Sequence, residues 1–451
     1  MIPPPVRTLA AALALAAAAS PLAAQGAQVN VPFETYRLEN GLRVILAPDP
    51  GTPVVAVNLW YDVGSRNERA GRTGFAHLFE HMMFEGSENA PKGEHSRLLR
   101  AAGATNLNAS TGEDRTNYYA VMPPSRMNLA LWLEADRMRS LQVTEPQLRN
   151  QQEIVKEERR LRVDNAPYGL SLNRVRTSAA YDPESCFPYS HDIIGSMADL
   201  DSAQIGDVQQ FFRTYYAPNN ATLTLVGDFQ PAQARQLIQQ YFAGIPSAPA
   251  PPPVVCENPF RDLPSRDTIR DANAPLPAFM SAYGAVAVGH PDSYALELLG
   301  TIMGGGSSSR LNQRLVKQER AASFAILFAD LRRGPGIMLF YLRSNQGVDA
   351  GRLESLLDEE LATLLRDGVT AEELERAKNQ QRAGFIRELQ TAMGRAETLQ
   401  QYTLYFGDPA TIRTALDPYQ AVTRDDVLRV ARQYLRPDNR AVVVTLPGRA
   451  Q

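Results

Sequence analysis

The sequence predicts an α+β protein built from two related α/β-sandwich halves, each an antiparallel-rich sheet with helices packed on it. Segments of strand and helix character alternate, the pattern that ends the first half returns at the end of the second, and a proline-rich segment separates the two. At 451 residues the chain is also too long for a single hydrophobic core.

The internal repeat lies in residues 207–225 and 426–444, which read DVQQFFRTYYAPNNATLTL and DVLRVARQYLRPDNRAVVV. In both segments a helix ends at a turn with proline and asparagine and leads into an apolar strand. The aligned identities are Asp207 with Asp426, Val208 with Val427, Tyr215 with Tyr434 and Pro218 with Pro437. The offset is about half the chain, so we interpret the two halves as products of a duplication.

Proline density marks the boundary between the halves. The segment GIPSAPAPPPVVCENP is rich in proline and poor in charge, which favours an extended linker over the surface. We therefore expect a signal peptide at 1–24, a first, catalytic domain at 30–245, a linker at 246–262 and a second, homologous domain at 263–451.

The first half begins with strand signals. The run ETYRLENGLRVILAP places Asn40 and Gly41, a tight-turn pair, between two strand-like segments and so predicts a hairpin. The run VVAVNLWYDVGS follows, and its alternation is typical of a half-buried strand. The apolar run LTLVGDF predicts another strand near the end of this half.

Charge and the N-terminus restrict the cellular setting. The formal net charge of -3 offers no bulk attraction to polyanions, so we expect no nucleic-acid binding. The N-terminus has one cation at Arg7, an apolar run from Leu9 to about Ala19, and small residues around Ala24, as an export signal does. That run is too short for a bilayer span, and we expect an exported, periplasmic bacterial protein with no stable membrane anchor.

The chain has only two cysteines, Cys186 and Cys256. They lack metal-ligand spacing, so we assign them no part in a metal site. An oxidising compartment permits a disulfide between them, but two cysteines in loop contexts leave that pairing open.

Two of the five histidines fall within five residues, in the run GRTGFAHLFEHMMFEGS. On a helix, His77 and His81 lie one turn apart on one face, with Glu80 three residues from His77. Two imidazoles at this spacing supply two corners of a zinc tetrahedron, and the carboxylate is placed to accept a proton from water. This H-x-x-E-H order is the inverzincin pattern. The alternative is that both histidines are merely packed or solvated. A third protein ligand on another element would argue against that alternative.

A third ligand is expected in the run TEPQLRNQQEIVKEERRLRVDNAPYG. Thr144 and Gln147 form a capping-box pattern, which predicts the start of a helix. Glu157 and Glu158 fall on neighbouring stripes of that helix, so periodicity alone leaves both open as the ligand. A charged, solvated helix face is the alternative interpretation of the same residues.

The chain resembles the pitrilysin, or insulinase, family of zinc metallopeptidases, in particular short subunits similar to mitochondrial processing peptidase and its bacterial relatives. The resemblance rests on GRTGFAHLFEHMMFEGS, NASTGEDRTNYYAVMP, EIVKEERR, SHDIIGSMADL, YYAPNNATLTLVGDF and MGGGSSSRL, which cover nearly all of the mature chain in order. It implies a zinc-dependent endopeptidase acting on peptides or unfolded protein segments, with two chains forming a clamshell around a closed chamber.

The same resemblance assigns roles within this sequence. It makes His77 and His81 ligands of Zn2+ and Glu80 the general base. The family's third ligand lies 77 residues past the second histidine, which is Glu158 here. The family usually has another acidic residue seven positions earlier, where this chain has Gln151, whose amide can still hydrogen-bond a ligand.

The run around Asn108 resembles the family's edge strand, whose backbone pairs with an extended peptide beside the metal. We expect Asn108 and Ala109 to lie beside the scissile bond. Binding by strand addition favours unfolded or flexible substrates over folded ones. An ordinary polar edge strand is the alternative interpretation.

The second half departs from the family pattern. There, an arginine and a tyrosine seven residues apart reach the substrate, whereas the run LVKQERAAS places Val316 and Ser323 at those positions. Neither residue donates the same charge or phenolic hydrogen bond. We therefore expect a heterodimer in which this chain supplies zinc and base and a paralogous subunit supplies the Arg/Tyr pair. The alternatives are a self-sufficient homodimer, a non-catalytic assembly or scaffold subunit, and a metal-storage protein.

Overall fold

The structure, a computed structural model, describes residues 30–448, so the expected signal peptide at 1–24 lies outside the described residues. The strands are β1 Glu34–Arg37, β2 Arg43–Pro48, β3 Val55–Tyr61, β4 Thr105–Thr111, β5 Thr116–Met122, β6 Ala221–Gly227, β7 Ser265–Asp271, β8 Ala278–Gly284, β9 Ala322–Asp330, β10 Ile337–Ser344 and β11 Arg440–Pro447. The helices are α1 Phe75–Met82, α2 Glu94–Ala101, α3 Met127–Ser140, α4 Glu145–Arg159, α5 Gly169–Arg176, α6 Phe187–Ser190, α7 Met197–Ser202, α8 Ile205–Tyr215, α9 Pro231–Phe242, α10 Pro291–Gly304, α11 Ala350–Asp367, α12 Ala371–Glu388, α13 Ala392–Phe406, α14 Asp417–Ala421 and α15 Arg424–Tyr434.

The first half forms a six-stranded sheet in the order β1-β2-β6-β3-β5-β4. Neighbouring strands are antiparallel except β2 and β6, which are parallel. The expected hairpin joins β1 to β2, where Gly41 takes a φ of +89° and the Asn40 side chain accepts from the backbone N–H of Leu42 at 3.3 Å. The order leaves β4 at one edge of the sheet.

The second half repeats this plan in a five-stranded sheet ordered β7-β11-β8-β10-β9. Its last strand, β11, runs parallel to β7 and antiparallel to β8, as β6 does with β2 and β3. One side-chain contact is repeated as well: Asn220 donates to the carbonyl of Tyr215 at 2.9 Å, and Asn439 donates to that of Tyr434 at 2.8 Å. The predicted architecture of two related halves is confirmed.

Each sheet is covered on one side by helices of its own half and on the other by a helix of the other half. Helices α1 and α3 pack on the first sheet, and α13 from the second half lies on its opposite face, where Leu399 and Ala56 belong to one buried cluster. Conversely, α5 from the first half packs on the second sheet, where Val175 and Met280 belong to another. The two halves are therefore joined by exchanged helices as well as by the linker.

This exchange corrects one expectation from the sequence. Strand β3 was expected to be half-buried, yet each of its residues is buried. Asn58 and Asn117, on the face that α13 covers, donate to the Glu397 carboxylate of α13 at 3.1 and 2.9 Å. Polar residues on a strand usually indicate a solvent-facing side, but here they satisfy a carboxylate brought in from the other half.

The proline-rich segment between α9 and β7 is tied to the first half by a disulfide between Cys186 and Cys256. Cys186 directly precedes α6 and is fully buried. The domain limits 30–245 and 263–451 stay a prediction. Between residues 30 and 448, none of the helices is long and apolar enough to cross a membrane.

Removing the disulfide should lower stability. The bond closes a sequence separation of 70 residues, so replacing both Cys186 and Cys256 by alanine should lower the free energy of unfolding by about 2–5 kcal/mol, chiefly through the entropy of the unfolded chain. Denaturant unfolding of the oxidised wild type and of the variant measures the difference. Reduced wild type is the control and should resemble the variant. Identical midpoints for oxidised and reduced wild type would contradict the expectation.

Candidate metal centre

Helix α1, which carries the H-x-x-E-H run, begins at a backbone position that only glycine suits. Gly74 takes a φ of +83°, and a Cβ there would lie 2.5 Å from the carbonyl oxygen of Ile194. The buried Glu68 carboxylate accepts from the backbone N–H groups of Gly74 and Ala76 at 2.8 and 2.7 Å. It thus satisfies free donors at the helix N-terminus and fixes the direction of α1.

His77 and His81 lie on one face of α1, as their spacing predicts, with ring centroids 4.8 Å apart and ring planes at 77°. The carboxylate of Glu158, near the end of α4, faces both rings. Its Oε2 is 3.3 Å from His81 Nε2 and 3.7 Å from His77 Nε2. Glu157 instead pairs with Arg160 at the surface. The packing of α1 against α4 therefore distinguishes two carboxylates that helical periodicity could not.

The start of α4 agrees with the sequence pattern and contributes to this placement. The backbone N–H of Thr144 donates to the Gln147 side chain at 3.0 Å, as in a capping box. Gln147 also donates to the carbonyl of Glu85, just after α1, at 2.9 Å. The residues that begin α4 therefore also fasten it to the segment that follows the motif.

A chain of side chains fixes the tautomer of neutral His81. Lys92 pairs with Glu85 Oε2 at 2.8 Å, while Glu85 Oε1 accepts from the Gln151 amide nitrogen at 2.6 Å. Because a carboxylate only accepts, the amide must turn its oxygen toward His81 Nδ1, 3.1 Å away. Nδ1 is then the protonated nitrogen, which leaves the Nε2 lone pair facing Glu158 and His77.

The pKa values of the two histidines are shifted in opposite directions. Burial and the charge of His81 lower the pKa of His77 to about 4, so His77 is neutral at pH 7. For His81, burial acts in the same direction but is outweighed by Glu158, and the pKa is raised. When His81 is protonated at both nitrogens, its Nε2 donates a hydrogen bond to Glu158, and this bond, the largest effect, lowers the pKa of Glu158 and holds it ionised.

The donor set fits zinc. Two imidazole nitrogens and one carboxylate oxygen lie within 4.8 Å of one another, and within residues 30–448 no other group of three or more His, Cys, Asp or Glu residues meets this condition. Three such ligands are typical of catalytic zinc sites, in which bonds of about 2.0–2.1 Å place ligand atoms roughly 3.3–3.5 Å apart. The distances from Glu158 to the histidines lie in or near that range.

Glu80 lies on the same helix and contacts the edge strand. Its Oε2 accepts a hydrogen bond from the Thr111 hydroxyl at 2.5 Å. Burial raises the pKa of Glu80, and the bond from Thr111 acts in the opposite direction. Sequence analysis missed Thr111, because the family resemblance placed this strand beside the metal without indicating which of its side chains reaches Glu80.

Strand β4, which carries Asn108 and Ala109, is paired on one side with β5 and is the edge of the sheet. Its regular pairing runs from Asn108 to Thr111, because the register shifts between Thr105 and Asn108, where Asn106 takes a φ of +48°. Asn108 and Ala109 are three and two residues from Thr111, or roughly 10 and 7 Å along a strand. The structure thus places both predicted residues on the open edge next to Glu80.

Arg162 is a further residue that the sequence did not single out. Its guanidinium donates to Glu158 Oε1 at 2.6 Å, so Glu158 turns one oxygen to arginine and the other to the histidines. Arg162 lies in a π-helical turn, Arg160–Asp164, directly after α4. The i, i+4 spacing from Glu158 to Arg162 could have indicated this pair.

In the second half, the two positions that depart from the family pattern serve the fold. Val316 packs against the second core from a π-helical segment, Asn312–Gln318. Ser323, on β9, donates to the carbonyl of Ser344 at 3.1 Å and accepts from the Arg343 guanidinium at 3.0 Å. Neither residue presents a cation or a phenol.

Comparison with known proteins decides the family. Residues 43–186 match the model described as "Insulinase (Peptidase family M16)", and residues 202–381 match "Peptidase M16 inactive domain". The chain is 30% identical to the protein named zinc protease PqqE from Helicobacter pylori, over 94% of this chain and 95% of that protein. The chain belongs to peptidase family M16. Its resemblance to the insulinase family, read from the motifs, is confirmed.

Two further proteins are similar to this chain over about nine-tenths of its length. The chain is 26% identical to the protein named mitochondrial-processing peptidase subunit beta from Lentinula edodes, over 90% of this chain and 88% of that subunit. A crystal structure of a protease from Helicobacter pylori superimposes with a TM-score of 0.86 at 28% identity, covering 92% of this chain and 99% of that one. The similarity to M16 proteins therefore extends through both halves.

The hydrogen bond from His81 to Gln151 should govern metal affinity. Gln151→Leu leaves His81 Nδ1 and Glu85 without their partner, so Zn2+ affinity should fall by about 10–100-fold. Competition of the metal-free protein with a chromophoric chelator measures the change.

Gln152→Leu is the matched control for this variant. Gln152 is equally buried, but its amide donates to the carbonyls of Leu200 and Ala203 at 2.7 and 3.0 Å. It should lose stability while its folded fraction keeps wild-type zinc affinity. Equal affinity of Gln151→Leu and wild type would show that Gln151 does not support His81.

Proposed function

We propose that this chain is an exported zinc-dependent endopeptidase that hydrolyses peptides or unfolded protein segments in a closed chamber. The observation that carries the proposal is the convergence of His77, His81 and Glu158, with Glu80 on the same helix as the histidines. Membership of peptidase family M16, with relatives named zinc proteases, supports the reaction class.

His77, His81 and Glu158 are the residues proposed to hold Zn2+. When bound, Zn2+ supplies a Lewis acid beside Glu80 for attack on a peptide carbonyl. His77 suits this role because it is neutral and its Nε2 faces Glu158. Gln151 holds the His81 ring so that its Nε2 lone pair is available.

Glu80 is proposed as the general base. Thr111 donates to Oε2, which leaves Oε1 to accept a proton from the attacking water and later deliver it to the leaving amine. Burial raises the pKa of Glu80, which favours a carboxyl group that both takes and returns a proton.

The open edge of β4 is the proposed substrate-binding element. An extended peptide that pairs with Asn108 and Ala109 becomes an additional strand next to Glu80. Folded proteins rarely offer an unpaired extended segment, so this mode of binding selects peptides and unfolded chains.

The partner is proposed to be a paralogous M16 subunit. Val316 and Ser323 do not supply the family's arginine and tyrosine, so a second chain with that pair would complete the site as a heterodimer. A similar protein is named as a subunit, the beta subunit of mitochondrial-processing peptidase. A self-sufficient homodimer is the simpler arrangement that the proposal must exclude.

A non-catalytic assembly subunit is the second candidate function. The match of residues 202–381 to a model described as an inactive domain favours it. The coming together of the three candidate ligands with a buried carboxylate on α1 counts against it. A metal-storage role would retain bound zinc without peptide hydrolysis.

Export to the bacterial periplasm is proposed from the signal-like residues 1–24.

Glu80→Gln should separate metal binding from catalysis. The amide cannot accept the proton, so kcat on a quenched-fluorescence peptide should fall by about 10²–10⁴-fold. Zinc content should be unchanged, because Glu80 is not one of the three converging donors. The assay is run with the partner subunit present, and zinc is measured by plasma mass spectrometry.

Two neighbouring glutamates provide the controls for Glu80→Gln. Glu158→Gln should lose zinc, whereas Glu157→Gln, exposed and paired with Arg160, should keep both zinc and activity. Full activity of Glu80→Gln would exclude it as the base. Unchanged zinc content in Glu158→Gln would exclude that residue as a ligand.

The divided site predicts activity that depends on mixing. This chain alone should cleave the quenched peptide slowly, and adding the related M16 product of a neighbouring gene should raise the rate by about 10²-fold or more, as for restored oxyanion donors. A chelator should abolish the gain. Equal rates alone and mixed would favour the homodimer, and no cleavage in either would favour the assembly subunit.

A further inference from the structure

A pocket lies in the second half, among α10, α12, α13 and α14. It consists of two adjoining cavities of about 300 and 310 Å³. The residues common to both walls are Glu297, Gln401, Tyr402, Ala415 and Tyr419. The combined size suits a small organic ligand. No wall residue belongs to the candidate metal centre, so we name this feature the Glu297 pocket and consider it separately.

Glu297 is the charged centre of this pocket. It lies on α10 between the buried residues Leu296 and Leu298. Its Oε2 accepts a hydrogen bond from the Tyr419 hydroxyl, and among residues 30–448 no other side chain donates to this carboxylate. A carboxylate offers about four acceptor positions, so one donor leaves most of them unused. Burial raises the pKa of Glu297.

The surroundings of Glu297 contain no compensating cation. Within the described chain, neither cavity wall includes a lysine, arginine or histidine. A second carboxylate, that of Glu388 at the end of α12, lines one of the two cavities. The pocket therefore has negative potential and favours a ligand that brings positive charge.

Three tyrosine rings complete the walls. Tyr294 and Tyr419 meet edge to face with centroids 5.1 Å apart. Tyr402 stacks on Phe406 with centroids 5.2 Å apart. Aromatic faces around a carboxylate are the arrangement that proteins use to hold alkylammonium groups, because the rings attract the cation and cover its methylene groups.

We propose that the Glu297 pocket binds an alkylammonium group, with Glu297 as its counter-ion and Tyr294, Tyr402 and Tyr419 as its aromatic walls. The three N–H donors of an ammonium group match the unused acceptor positions of the carboxylate. A free primary amine and a lysine side chain of a peptide carry the same group. This inference does not rest on the proposed peptidase function.

Calorimetric titration with two probes tests the proposal: n-butylammonium chloride and the capped peptide acetyl-Gly-Lys-Gly-amide, each at constant ionic strength. Wild type should bind n-butylammonium saturably, and 1-butanol, a neutral molecule of similar size, should not compete. Binding of the peptide as well identifies lysine side chains as ligands. Binding of butylammonium alone identifies free amines.

Three variants determine whether the carboxylate is responsible. Glu297→Gln keeps the shape and should weaken binding at least tenfold, with thermal unfolding as the check on folding. Tyr419→Phe keeps the ring but frees Oε2, so it should bind at least as tightly as wild type. Glu372→Gln, an exposed carboxylate on α12 outside both walls, should bind as wild type does.

Equal affinity in Glu297→Gln and wild type would overturn the proposal. So would the absence of saturable binding of both probes up to about 10 mM, a very weak affinity for a site with a charged counter-ion. If Glu297→Gln is unstable, weaker binding in Tyr402→Leu, which removes a ring and keeps the carboxylate, still supports the pocket. Unchanged binding in that variant would contradict its aromatic wall.

Discussion

Burial of both faces of the two central strands is the constraint on which this structure depends. Each residue of β3 and each residue of β8 is buried. A single layer of helices covers only one face of a sheet, so a second layer is required, and each half obtains it from the other. Helix α13 seals the first sheet and α5 seals the second. The candidate metal centre, built on α1 and α4 against the first sheet, is therefore supported by residues of the whole chain.

The exchanged helices also mark the limit of what the sequence could reveal about the fold. The duplication, the hairpin at Asn40 and the apolar strand that follows the Pro-Asn turn in each half follow from local patterns. The apolar periodicity of α5 and α13 predicts a buried face, but nothing in either helix says which sheet will cover it. Asn58 indicated a solvent face for the same reason, since its partner Glu397 is more than 250 residues away in the sequence.

The candidate site likewise combines features that the local sequence predicts with features that depend on contacts between distant elements. His77, Glu80 and His81 follow from spacing within one helix, and family resemblance, not periodicity, chose Glu158 over its neighbour. What was missed depends on contacts between elements. Glu85 orients the amide of Gln151, and the amide in turn orients the imidazole of His81. In the sequence, Glu85 is a glutamate four residues after His81 with no pattern that indicates this role. Although Gln151 is neutral, the negative charge of Glu85 is therefore still linked to the His81 ring, through one additional hydrogen bond.

The open edge of β4 has a consequence for the behaviour of the protein in concentrated solution. A strand with free backbone donors and acceptors can pair with the same strand of another molecule, which is a route to aggregation. Here the irregularity at Asn106 interrupts the ladder after a few residues, and Thr105, Asn106 and Asn108 expose polar groups. A partner strand can therefore pair with only a short regular segment of backbone and buries little apolar surface there. Weak, reversible pairing of this kind discourages permanent sheet growth.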